Sequence, residues 1–217
     1  MNRPFVNLAG AALLLLVAPG CQQLSQFYNN LTGNTPGKYA RLMEEPSSAD
    51  DRREGINGLV AQPFGRQPPY TTRYRQIAAN DPDALVRATA VRALNRADDA
   101  GATDVYVKAL SDPSELVRLE GAKALIQMPT PDAVAPLLKL LTRPDEPKDV
   151  RMASAAALKH YPRTDVARAL AATLSERDFS VAWQARRSLR RLTGGRDFAY
   201  DEAAWLQFIT GPDKPFG

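Results

Sequence analysis

Four stretches of this chain repeat one pattern at nearly constant distance. They run from Leu85-Val86-Arg87 to Ala93-Leu94, from Leu116-Val117-Arg118 to Ala124-Leu125, from Asp149-Val150-Arg151 to Ala157-Leu158, and from Ser180-Val181-Ala182 to Ser188-Leu189. Their Val positions lie 31, 33 and 31 residues apart, and so do their Leu positions. Equal spacing at both ends means that a whole segment recurs. A fifth copy, Arg52 to Leu59, precedes them, and its Leu59 lies 35 residues before Leu94. The Pro-rich stretch from Pro63 to Pro69 accounts for the extra length. A period of this size describes a unit that hides its apolar face only against its neighbours.

Within the unit, Val at i is followed by small residues at i+4 and i+7 and by Leu at i+8. That spacing is one face of an α-helix. The small pairs are Ala90/Ala93, Gly121/Ala124, Ser154/Ala157, Ala185/Ser188 and Gly55/Gly58. Glycine inside a helix costs up to about 1 kcal/mol relative to Ala, so Gly55 and Gly121 point to the close approach of a second helix. That partner precedes each copy: Thr103 to Leu110, Ala133 to Leu141 and Val166 to Leu174 are apolar-periodic and end in turn signals such as Ser111-Asp112-Pro113. The unit therefore reads helix, turn, helix, and no window shows strand alternation with hairpin turns.

These features resemble HEAT repeats, in the short form shared with phycobilisome-lyase-type proteins. The residues that carry the likeness are Asp81-Pro82 with Val86-Arg87 and Ala93-Leu94, and Asp112-Pro113 with Val117-Arg118 and Ala124-Leu125. The likeness covers roughly residues 38 to 193 and thins at both ends, where terminal repeats cap an array. It implies an all-α fold, a right-handed α-α superhelix of about five helix pairs. It also implies that Asp81, Asp112, Asp145, Arg87, Arg118 and Arg151 hold the turns together. Taken alone, the three Arg residues also suit a phosphate-reading stripe. After Gly194-Gly195, Asp201 is placed to cap a last helix, Glu202 to Ile209, with Trp205, Leu206 and Ile209 on one side. The segment 196–217 is thus expected to cover the open end of the stack.

The N-terminus reads as an export signal over residues 1–20. Arg3 precedes a ten-residue apolar run, Leu8 to Val17, which is too short to anchor as a membrane span. Ala18-Pro19-Gly20-Cys21 then resembles the lipobox of bacterial lipoproteins, with Ala18 where Leu is usual. The resemblance implies lipidation of Cys21, the only Cys, and a stable anchor if several acyl chains are attached. Gln22 rather than Asp follows Cys21, which favours the outer membrane, with the protein facing the periplasm. Residues 21–37 read as a flexible tether, residues 38–195 as the repeat array and residues 196–217 as its cap.

Composition narrows function chiefly by exclusion. One Cys and one His leave no Cys-based zinc cluster, no multi-His metal site and no intrachain disulfide. No Gly-rich phosphate loop, nucleophile elbow or His-Glu-x-x-His occurs, so no catalytic residue and no cofactor is expected. His160 sits at the end of a repeat helix, where it suits the negative helix terminus. Net charge is +4, with 21 Arg against 7 Lys. From Phe179 to Arg196 there is no acid, and Arg186, Arg187, Arg190 and Arg191 fall within about 140° of one helix face with Trp183 among them. Such a patch suits an acidic or planar ligand through ion pairing and cation–π contact. In the blander alternative Trp183 packs beneath the C-terminal segment and the Arg residues are solvated.

The leading expectation is a non-enzymatic, lipid-anchored scaffold that holds a protein or envelope partner. The alternatives are a HEAT-type enzyme, resembling a tetrapyrrole lyase or a DNA-alkylation glycosylase, and a purely structural envelope spacer. Export argues against a nucleic-acid substrate, and nothing in the sequence points to a particular small molecule.

Overall fold

Eleven α-helices make up the described part of the chain, residues 36–212, 215 and 216, in the computed structural model. The segment expected to be an export signal, Cys21 and the expected tether up to residue 35 lie outside these residues. The first helix of each pair is α1 (Pro36–Met43), α3 (Tyr70–Asn80), α5 (Thr103–Ala109), α7 (Val134–Thr142) or α9 (Thr164–Ala172). The second is α2 (Ala49–Val60), α4 (Ala84–Arg96), α6 (Glu115–Gln127), α8 (Lys148–Leu158) or α10 (Phe179–Leu192). A final helix, α11 (Glu202–Thr210), stands alone and matches the expected capping helix to within one residue. No strand occurs among the described residues.

Short polar side chains cap three of the five second helices. The Asp83 carboxylate accepts from the Leu85 and Val86 N–H groups, Ser48 accepts from Asp51 N–H, and Asp178 accepts from Ser180 N–H. Such caps satisfy N–H groups that a first turn leaves unbonded. Each second helix packs on the first helix of its own pair and on the second helices of the neighbouring pairs, so α2, α4, α6, α8 and α10 form one continuous layer. The repeating Val and Leu explain this. Val86, Val117, Val150 and Val181, with Leu94, Leu125, Leu158 and Leu189, are all buried to within 1% of completeness. They belong to a single hydrophobic core running through all five pairs.

The helical glycines lie where two helices of a pair touch, whereas Ser188 of α10 donates to the Ala155 carbonyl of the neighbouring second helix α8 at 2.7 Å. A β-carbon on Gly121 would stand 2.8 Å from the Ala109 Cβ and 3.0 Å from the Tyr106 carbonyl oxygen of α5. On Gly55 it would fall on the backbone of Tyr39 and Met43 in α1. The packing demand inferred from the helical glycines is therefore real.

A ladder of ion pairs joins successive pairs of helices. Arg52 donates to both Asp81 oxygens at 2.8 and 3.0 Å, and Arg87 to both Asp112 oxygens at 2.9 and 2.8 Å. Arg118 donates to Glu146 at 2.7 Å, and Arg151 donates to Glu176. Three of the guanidiniums also donate to carbonyls of the turn before their own helix, Arg52 to Glu45 and Pro46, Arg87 to Asp81 and Pro82, and Arg118 to Asp112 and Pro113, while Arg151 donates to the Leu141 carbonyl at the end of α7. All four Arg side chains are thus committed to the scaffold, which leaves no phosphate-reading stripe. Burial alone would raise the Asp112 carboxyl. The hydrogen bonds from Arg87 and the Ser114 N–H, with the charges of Arg87 and Arg118, outweigh it and hold the group below the usual aspartate range.

One expected rung is corrected. Asp145 is exposed and meets only Arg143, at 3.2 Å, whereas its neighbour Glu146 is buried and accepts from Arg118. In the first three rungs the acid that faces the preceding Arg is the one immediately before Pro, Asp81-Pro82, Asp112-Pro113 and Glu146-Pro147, whereas in the last Glu176 precedes Arg177. In those three, Pro turns the chain and removes an N–H that would compete for the carboxylate.

Helix α11 packs on α9 and so takes the place of the next first helix. Trp205 is fully buried, its Nε1 donates to the Ala199 carbonyl at 3.1 Å, and the Phe198 ring meets it edge-on at 5.0 Å. Phe216 joins the same core.

Candidate binding face

Helix α10 is amphipathic, with Val181, Ala182, Ala185, Ser188 and Leu189 buried on its inner side. Two glycines in left-handed conformation end it, Gly194 at φ 66° and Gly195 at φ 97°, and the Gly195 N–H donates to the Arg190 carbonyl at 2.7 Å. Arg190 and Arg191 occupy the last turn, where the helix terminus favours cations.

The five residues expected to form the patch divide into two groups. Trp183, Arg187, Arg190 and Arg191 are exposed on the solvent side, and the Arg187 guanidinium lies over the Trp183 ring at 4.6 Å from its centroid. Trp183 remains 42% exposed, so it does not pack beneath the C-terminal segment. The buried tryptophan at this end of the stack is Trp205, which belongs to the C-terminal segment itself. A shallow depression of about 500 Å³ is lined by Arg187, Arg190, Arg191, Gly194 and Gly195.

Arg186 has a different part. It donates to both Asp197 oxygens at 2.9 and 2.7 Å and lies over the Tyr200 ring at 5.1 Å. The bond from Arg186 holds the Asp197 carboxyl below the usual range, with help from the Ala199 N–H and the charge of Arg190. The same bond raises the Arg186 guanidinium above its own. Asp197 also fixes the turn around Ala199, a non-glycine residue at φ 52° whose N–H it accepts at 3.0 Å. Arg186 therefore pins the capping segment to α10, while Arg190 Nε stands 3.4 Å from the same carboxylate and stays half-free. Tyr200 further stacks on Phe179 at 5.6 Å, which leaves Phe179 66% exposed at the other end of the helix.

The charge of the chain concentrates here. Residues 162–195 hold seven Arg against three acids, Asp165, Glu176 and Asp178. Glu176 is used by the ladder and Asp178 by the α10 cap. Asp165 is paired with Arg163. What remains on α10 is an aromatic ring beneath one guanidinium, with two more guanidiniums a turn away. That arrangement attracts carboxylates or phosphates and offers a flat apolar surface beside them.

His160 lies outside this patch. Its Nε2 is 2.9 Å from the Ile126 carbonyl oxygen. It thus serves the last turn of the neighbouring helix α6 rather than the end of its own.

Residues 72–159 match the model of HEAT repeats. The matched HEAT repeats run from α3 to the end of α8, and the fold as a whole is consistent with a HEAT α-solenoid. Helix α10, with the candidate face, lies beyond the matched residues. No curated protein matches the chain.

The neighbours of the patch were not foreseen. Asp197 and Tyr200 follow the double glycine, and no spacing rule links them to Arg186; their pairing depends on how the chain turns back after Gly195.

Proposed function

We propose that the protein is an exported scaffold, anchored by acyl groups on Cys21, whose HEAT array holds a protein partner of the cell envelope without chemical turnover. HEAT repeats are interaction modules, which supports the coarse reading. The observation that carries it for this chain is the exposed face of α10, where Trp183, Arg187, Arg190 and Arg191 have no carboxylate partner among the described residues except for the distant Asp197 contact of Arg190. An exposed Trp under a guanidinium is the kind of anchor that interfaces favour, since Trp and Arg dominate binding energy at protein contacts. The lipobox-like Ala18-Pro19-Gly20-Cys21 supports the anchor, and the outer membrane, facing the periplasm, is the proposed address.

Two measurements test this. In the native cell, Cys21→Ser should shift the protein from the membrane pellet to the soluble fraction; retention in the pellet would refute the acyl anchor. Capture from detergent-solubilised envelope should recover a discrete partner with the native chain and lose it with Trp183→Ala/Arg187→Glu. Recovery of nothing, or equal recovery by the variant, would refute the scaffold reading at this face.

A further inference from the structure

The repeat register extends the α10 face across the layer of second helices. Two residues after the repeated Val come Leu119 in α6, Met152 in α8 and Trp183 in α10. None of these is fully buried, although each stands on a helix whose Val is. Six residues after the Val come Lys123 in α6 and Arg187 in α10, with Arg92 at the same place in α4 and the uncharged Ala156 in α8. All three cations are exposed.

The two offsets differ by four residues, about one helical turn, so Lys123 and Arg187 stand beside Leu119 and Trp183 on their own helices, whereas in α4 the residue beside Arg92 is the buried Ala88. The contact of Arg187 with the Trp183 ring shows that adjacency directly. Because α6 packs on α8 and α8 on α10, the apolar set lines up as a band running across the three helices, and the cations form a second band beside it that is broken at α8, where Ala156 takes the place of a cation. Neighbouring helix axes lie about 8–10 Å apart, so three helices give bands roughly 20 Å long.

One acid interrupts the cationic band. Glu120 is buried and accepts from both Arg92 at 3.0 Å and Lys123 at 3.2 Å. It trims the charge at that end and leaves the free positive charge beside Trp183. A band of this kind, partly neutralised and flanked by Leu, Met and Trp, does not suit the unbroken phosphate row of a nucleic acid or a charged bilayer. It suits a helix that carries apolar side chains on one edge and carboxylates on the other. A helix rises about 1.5 Å per residue, so about 13 residues span the bands.

Resting on the scaffold reading above, we propose that the face formed by α6, α8 and α10 docks an acidic amphipathic helix of the protein partner, laid across the three helices with its apolar edge on Leu119, Met152 and Trp183.

The test uses the mature chain, residues 21–217 with Cys21→Ser so that no acyl group contributes. The probe is a fluorescein-labelled helical peptide of about 15 residues, long enough to cross the bands, with Leu and Phe on one face and Glu on the other. Its binding is followed by fluorescence anisotropy beside a scrambled peptide of identical composition, phosphatidylglycerol vesicles and a short DNA duplex. The amphipathic peptide should bind about tenfold or more tightly than the scrambled one, and Met152→Glu and Lys123→Gln should each weaken it by a similar factor. Arg168→Glu, on the exposed side of α9, should leave it unchanged, and melting curves should show all three variants folded. Equal binding of the scrambled peptide, displacement by vesicles or DNA at equal charge concentration, or indifference to both face variants would overturn the proposal. If envelope capture responds to Trp183→Ala/Arg187→Glu while the peptide and Met152→Glu show no effect, the scaffold reading stands and this docking mode falls.

Discussion

At the scale of single residues, the buried carboxylates of the ladder are the most sensitive points. The Glu146 side chain is wholly buried, and its Arg118 partner is only 11% exposed. Such a pair adds little over an apolar pair of the same size, but losing one member strands a charge out of water. Glu146→Ala should therefore cost about 3–5 kcal/mol in denaturant unfolding. The double variant Arg118→Met/Glu146→Leu should recover most of that loss; if it is as unstable as the single variant, the pair is held for more than charge balance. Asp112 sets the pH window in the same way. Its carboxyl lies below the usual range when folded, so its contribution is complete above the ordinary aspartate value and is lost as pH falls through the depressed one. The identity of these acids was only half legible in the sequence. Asp81 and Asp112 each precede Pro directly, and that rule selects Glu146; reading Asp145 instead follows the residue type and ignores its place in the turn.

Among the elements, α11 decides how the array ends. Periodicity and the Asp201 cap reveal this helix in the sequence, as does the single apolar side that includes Trp205. What they do not reveal is its seat on α9, because that depends on the backbone reversal at Gly194 and Gly195 and on the Arg186–Asp197 pin. Removing a fully buried Trp costs about 3–5 kcal/mol. Trp205→Ala should thus detach α11, seen as rapid amide exchange through 197–210 while α4 and α6 stay protected. Uniform loss of protection along the whole chain would mean that the end is not a separate cooperative unit. The split of the expected patch belongs to this scale as well. Helical angle alone groups Arg186 with Arg187, Arg190 and Arg191, and only the return of the capping segment claims Arg186 for structure.

For the molecule as a whole, stability is spread along one dimension. Each pair of helices contacts its sequence neighbours, as in any solenoid whose stability sums over units and interfaces. The middle pairs, α3–α4 to α7–α8, have two partners each, so exchange should be slowest in α4, α6 and α8 and faster in α1 and α11. Truncation after Gly195 should uncover the apolar side of α9 and promote self-association at micromolar concentration, measured by light scattering. A truncated chain that stays monomeric with an unchanged melting curve would show that residues 196–217 do not seal the stack. This architecture was largely readable beforehand, since a repeated pattern reports the same fact several times. The binding face was not, because exposure at a given register depends on which side of each helix its neighbours cover.

Ala182 stands where Arg52, Arg87, Arg118 and Arg151 stand in the earlier copies. Each of those guanidiniums asks the following unit for an acid, and Ala182 asks for nothing. The chain thereby carries its own stop sign: a copy inserted between α4 and α5 would find a waiting cation, whereas one appended after α10 would find none.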